Sequence, residues 1–114
     1  MKLTVSNQKN ANVLHVEGDV THAVSSEFQS TALDALSKEA NLVLDFSNIG
    51  LLTSAGLRTL LLLHREATAN RKLLILAAVP DSAQDIMKVT GFWEQFLSTP
   101  TVEAALQLIE KHPL

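Results

Sequence analysis

Two adjacent hydroxyls, Thr53 and Ser54, stand immediately before Ala55-Gly56-Leu57-Arg58. A buried-strand pattern ends just upstream, and a leucine-rich helical pattern begins within the segment, so the pair falls at a strand-to-helix turn. Free backbone N–H groups and the positive end of the helix dipole favour negative charge there. A hydroxyl so placed can cap the helix, accepting a hydrogen bond from an N–H two or three residues on, for about 1 kcal/mol. It can also receive a phosphoryl group, which brings a charge of roughly −1.5 to −2 and three strong acceptor oxygens. The fold carrying the phosphate would tolerate it at a helix start. A partner docked over the same turn would have to bury it without a prepared counter-charge. The sequence leaves open whether Thr53 or Ser54 is the cap.

Other chemistries fail on spacing. A nucleophile elbow needs glycine two residues before and after the serine; Ser54 has Gly56 after it but Leu52 before it. The phosphate-cradling glycine loop is absent too: Leu57 follows Gly56 where a lysine is required. The chain has no cysteine, which removes disulfides, thiolate metal sites and cysteine nucleophiles together. His15, His22, His64 and His112 show no metal-ligand spacing and read as surface or half-buried side chains, with His64 the most buried. Glu17 and Asp19 flank Gly18 and read either as solvated turn residues or as a rim around the Ser54 turn.

The elements that position these residues follow from hydrophobic periodicity. Leu3 and Val5 alternate with polar residues as a half-buried strand, and 13–17 is a second strand ended by Gly18. A helix is predicted over 25–37 with Phe28, Ala32, Leu33 and Leu36 inward. Residues 42–46 form a central strand, and 47–50 a turn. The second helix runs from Ser54 or Ala55 to Thr68 on a stripe of Leu57, Leu60, Leu61 and His64, widened by Leu62 and Leu63. Residues 73–78 form another buried strand. Pro80 and Asp81 open a third helix with Ala83, Ile86, Met87 and Thr90 on one stripe, stopped by Gly91. Phe96 marks a short last strand, and 101–111 a last helix with Val102, Ala105, Leu106 and Ile109 inward. This order predicts an α/β fold, a mixed sheet of four to five strands packed with about four α-helices, in one domain over 1–114. The hydroxyl turn then lies at the carboxyl end of a central strand, where open α/β sheets build their sites.

The 114 residues suffice for a hydrophobic core without staples, and 46% of them are hydrophobic, which excludes disorder. The net charge of −3 argues against a nucleic-acid-binding domain. The amino-terminal residues lack the apolar core of a signal peptide, and no apolar run is long enough to span a bilayer. A soluble, cytoplasmic protein, monomeric when free, is expected.

The segment Asp45-Phe46-Ser47-Asn48-Ile49 followed by Leu52-Thr53-Ser54-Ala55-Gly56-Leu57-Arg58 resembles the signature of STAS domains, in particular bacterial anti-sigma factor antagonists. The resemblance continues through Val89-Thr90-Gly91-Phe92, Phe96 and Val102-Glu103-Ala104-Ala105. It implies a small mixed sheet packed with helices, no cofactor and no catalysis by this chain. It implies partner switching: the unmodified antagonist binds an anti-sigma factor that is also a serine kinase, phosphorylation ends the binding, and a PP2C-type serine phosphatase resets the cycle. On the motif, the phosphorylated serine is Ser54, with Thr53 a second candidate acceptor. Thr53, Ser54, Ala55, Gly56, Leu57 and Arg58 fall in the partner surface, with Asp19 and Thr21 beside them. Many members carry aspartate where this chain has Thr53, and an acidic residue where it has Thr21. A STAS module that docks without modification, such as the accessory subunit of a lipid-transport ABC transporter, is the alternative.

Overall fold

The computed structural model describes residues 1–8, 10–36 and 40–111. The predicted residues Ser37 and His112 lie outside them. The strands are β1 (Lys2–Asn7), β2 (Ala11–Val20), β3 (Asn41–Leu52), β4 (Leu74–Ala77) and β5 (Leu97–Thr99). The helices are α1 (Ser25–Leu36), α2 (Ser54–Ala69), α3 (Asp81–Val89) and α4 (Val102–Lys111), with short 3₁₀ turns at His22–Val24 and Trp93–Gln95.

The sheet order is β1-β2-β3-β4-β5, with β1 antiparallel to β2 and every other pair parallel. Each parallel strand is laid down beside the last in one direction. Crossovers of one hand then stack their helices on one face. That face holds the larger core, in which Phe28 of α1, Leu60 and Leu63 of α2 and Met87 of α3 meet Leu14, Leu42, Leu44 and Phe46. α4 follows the last strand and crosses back to nothing, so the crossover rule does not constrain it. It covers the opposite face, packing Ala105 and Ile109 on Ala11, Val13, Val43, Ile75 and Ala77. The apolar run 42–46 is explained by this double cover: its alternate residues enter the two cores.

Two strands are longer than their patterns indicate. Gly18 does not end β2, and 47–50 is no free turn. β2 continues to Val20 and β3 to Leu52, paired as Glu17 with Asn48, Gly18 with Ile49 and Val20 with Leu52. Each of the two register shifts along this pair places one extra residue in β3. Burial in β3 accordingly changes from the continuous run 41–44 to Phe46, Ile49 and Leu52, a spacing of three that no regular strand shows.

Smaller differences have local causes. The buried stripe of α2 is Gly56, Leu57, Thr59, Leu60, Leu63 and Ala67, while Leu61 and His64 are half-buried. His64 lies edge-on to Phe96, with ring centroids 5.4 Å apart. Thr90 is exposed, and its hydroxyl donates to the carbonyls of Ile86 and Met87 at the end of α3. Thr101 precedes α4 as its cap, its Oγ1 accepting from the Ala104 N–H at 3.0 Å.

Candidate functional site

Pairing between β3 and β4 ends at Asp45 and Ala77, whereas β2 and β3 run on together to Val20 and Leu52. The two strands thus project past the rest of the sheet, and α2 starts from their tip. Three ties fix that tip. The Asp19 carboxylate accepts from the Leu51 N–H at 2.7 Å. The Val20 carbonyl accepts from both the Thr53 N–H, at 3.1 Å, and the Thr53 hydroxyl, at 3.0 Å. The third is close packing at Gly56, where a Cβ would stand 2.8 Å from both the Val20 carbonyl oxygen and its Cγ1.

The cap of α2 is Thr53, not Ser54. Thr53 has extended backbone angles, φ −92° and ψ 171°, and its Oγ1 accepts from the Gly56 N–H at 3.4 Å. Ser54 is the first helical residue and is exposed, and among the described residues its hydroxyl has no hydrogen-bond partner. The two hydroxyls therefore divide the possible roles. One is consumed by structure, and the other is left facing outward.

Of the remaining predicted surface residues, Arg58 is exposed, Ala55 is half-buried, and Gly56 and Leu57 are buried. Gly56 and Leu57 shape the turn from within. Asp19 belongs to the rim through its bond to Leu51. Its partner in sequence, Glu17, is a solvated residue 4.0 Å from Lys2, a pair of little energetic weight. Thr21 is half-buried next to Val20, and its carbonyl accepts from the Val24 N–H at 3.3 Å.

Two features escaped the sequence reading. Leu51 is 54% exposed at the turn, although Leu52 beside it is buried. The apolar pair Leu51-Leu52 carried no signal of which member faced out, because the second bulge of β3, between Ile49 and Leu52, includes Leu51. The second feature is the His15–Asp45 pair, adjacent in the β2–β3 register, with Nδ1 and Oδ2 2.7 Å apart. The other oxygen of Asp45 accepts from the Ser47 N–H at 3.0 Å and the Ser47 hydroxyl at 2.8 Å. Burial alone would raise the Asp45 carboxyl, but the hydrogen bonds from His15 and Ser47, with the attraction of His15, bring it below the ordinary carboxylate value. Ser47 is bound to the acid and not to the imidazole, so the trio lacks the nucleophile–base contact of a catalytic triad. Among the described residues no group of three or more His, Cys, Asp or Glu side chains could hold a metal ion. Among the described residues no helix is long and apolar enough to cross a membrane.

The family model described as Mlab, STAS domain, matches residues 3–99, across all five strands. The chain belongs to the STAS-domain family. Solved STAS structures share its architecture. An anti-sigma factor antagonist from Mycobacterium paratuberculosis is 19% identical over 96% of this chain and 93% of its own, with a TM-score of 0.86. The anti-sigma factor antagonist SpoIIAA in its unphosphorylated form is 16% identical over 96% of this chain and 97% of its own, with a TM-score of 0.81. The Bacillus cell fate determinant SpoIIAA in the phosphorylated form matches at 16% identity over 95% of this chain and 99% of its own, with a TM-score of 0.73. At these identities the likeness is one of fold, and the mixed five-stranded sheet with four helices is a STAS fold.

Proposed function

We propose that this STAS domain is an anti-sigma factor antagonist that switches partners through Ser54. Unmodified, it binds an anti-sigma factor serine kinase and so frees the sigma factor or other target that the kinase held. Phosphorylation of Ser54 ends the binding, and a PP2C-type serine phosphatase restores it. The nucleotide belongs to the kinase; this chain supplies a surface and an acceptor hydroxyl, with no catalysis and no cofactor of its own. It acts in the cytoplasm as a monomer when free, without nucleic acid or membrane insertion.

The observation that carries this reading is the free, exposed Ser54 hydroxyl beside a Thr53 that already performs the capping. A phosphate on Ser54 breaks no bond of the fold and gains from the helix dipole. A phosphate on Thr53 would cost the hydroxyl's bonds to Val20 and Gly56, which makes Thr53 the poorer acceptor. Tight docking on Ser54, Arg58, Leu51, Asp19 and Thr21 would bury the new charge, and desolvation without a counter-charge is expensive.

The test is a binding assay with the cognate kinase, together with intact-mass analysis after incubation with ATP. Ser54→Asp is expected to abolish binding, Ser54→Ala to bind constitutively, and one phosphate to map to Ser54. Equal kinase affinity of wild type and Ser54→Asp would overturn the reading.

The name of the matching family model, Mlab, favours a second reading: a STAS subunit that docks unmodified, such as the accessory protein of a lipid-transport ABC transporter. In that case Ser54→Asp weakens docking on a partner ATPase, and no kinase modifies the wild type.

A further inference from the structure

Arg58 stands one helical turn after Ser54, and both are exposed. Residues three or four apart on a helix are surface neighbours. The positions so related to Arg58 are Ser54, Ala55, Leu61 and Leu62, and Ser54 is the polar one among them. The first turn of α2 contains no acidic residue, and among the described residues the Arg58 guanidinium has no ion pair. The nearby acid of the rim, Asp19, is engaged by the Leu51 N–H. Among the described residues Arg58 is therefore a cation outside any ion pair, four positions after Ser54 on the same helix, where a group on Ser54 would reach it.

We propose that phosphorylation of Ser54 acts through Arg58: the phosphate pairs with this guanidinium, so the modification withdraws a cation from the docking face as it adds an anion. The inference rests on Ser54 being the modified residue. An acid N-terminal to a base at this spacing is the favourable orientation, and a guanidinium grips phosphate oxygens in fork geometry. Before modification Arg58 is free to meet an acidic group of the partner. Afterwards that group faces a phosphate whose compensating charge is already committed. One covalent event thus removes an attraction and installs a repulsion, while α2 gains an ion pair in its first turn.

The full chain carrying phosphoserine at position 54, installed during translation so that no kinase is needed, supplies the test. The second ionisation of the phosphate is followed by ³¹P NMR in wild type, R58Q and, as a control for general charge, R65Q. Its midpoint, near pH 6, is expected about 0.4 lower in wild type than in R58Q, with R65Q following wild type and the difference shrinking in high salt. Unphosphorylated R58Q is expected to bind the kinase about fivefold more weakly. Coincident titrations of wild type and R58Q, or unchanged kinase affinity in R58Q, overturn the proposal. Failure of the kinase to modify Ser54 refutes the switch instead, and the NMR titration reports independently of it.

Discussion

The division of roles between the Thr53 and Ser54 hydroxyls makes a quantitative expectation about stability. Thr53→Ala removes a hydroxyl that donates to Val20 at 3.0 Å and accepts from Gly56 at 3.4 Å. The Val20 carbonyl keeps its backbone bond from Thr53, so it is not orphaned, whereas the Gly56 N–H is buried with no replacement acceptor. Loss of a cap costs about 1 kcal/mol, and the tie to Val20 adds about 0.5 kcal/mol net, for a total of about 1.5 kcal/mol. At about 4–5 °C per kcal/mol for a chain of this size, the melting temperature should fall by about 7 °C. Thr53→Ser should recover most of the loss, because it keeps the oxygen. Ser54→Ala should stay within about 0.5 kcal/mol of wild type, since its hydroxyl bonds to nothing. Urea denaturation followed by circular dichroism measures all three, and equal m-values would show that the unfolded states compare. If Ser54→Ala destabilises as much as Thr53→Ala, the assignment of the cap is wrong, and with it the argument that Ser54 is spare.

Three further expectations follow from the same geometry. Gly56→Ala drives a methyl group into the Val20 carbonyl and side chain and should cost about 2–3 kcal/mol by urea melt while also weakening kinase binding, because the turn must shift. α2 and α3 end in the same Schellman arrangement, with Arg71 at φ 57° in one and Gly91 at φ 79° in the other, so Arg71→Gly should stabilise by about 1 kcal/mol and Gly91→Ala destabilise by about as much in thermal melts. Asp45 has a folded pKa below its ordinary value of 3.8; its contribution is therefore fully present above that value and lost as pH falls through the lower folded one. Acid titration of stability should accordingly show a shallower loss below about pH 4 in Asp45→Asn than in wild type, and identical acid limbs would remove Asp45 from the account.

The order of elements was legible because most of them keep one period. Residues 42–46 alternate between two cores, α4 presents Ala105 and Ile109 as expected, and Gly91 stops α3. What was lost is where the period breaks. The bulges in β3 space Phe46, Ile49 and Leu52 by three, so the strand that carries the site looked like a turn. The stripe on α2 was misplaced by one column because leucine fills both sides of it. The deciding term was Gly56, whose close approach to Val20 and Leu52 sets which side of α2 faces the sheet. Composition cannot express that. The site itself was legible as a segment, but not its division of labour: two adjacent hydroxyls are equivalent in sequence, and only the extended backbone of residue 53 makes that one the cap.

That division bears on why threonine stands where many STAS antagonists carry aspartate. A carboxylate at position 53 could accept from the Gly56 N–H, as the Thr53 hydroxyl does. It could not donate, and here the same side chain also gives a proton to the Val20 carbonyl at 3.0 Å. An ionised aspartate would set its charge against that carbonyl oxygen and against any phosphate on the next residue. Threonine satisfies both bonds as a neutral group and leaves the first turn of α2 free of acid, so that a phosphate on Ser54 meets only the helix dipole and Arg58. Thr53→Asp should therefore cost stability even though aspartate is as good a cap in isolation, and it should raise the second pKa of a phosphate at position 54 by like-charge repulsion. If Thr53→Asp is instead as stable as wild type, the bond to Val20 contributes nothing, and the tip is held by its backbone pairing and by the packing at Gly56.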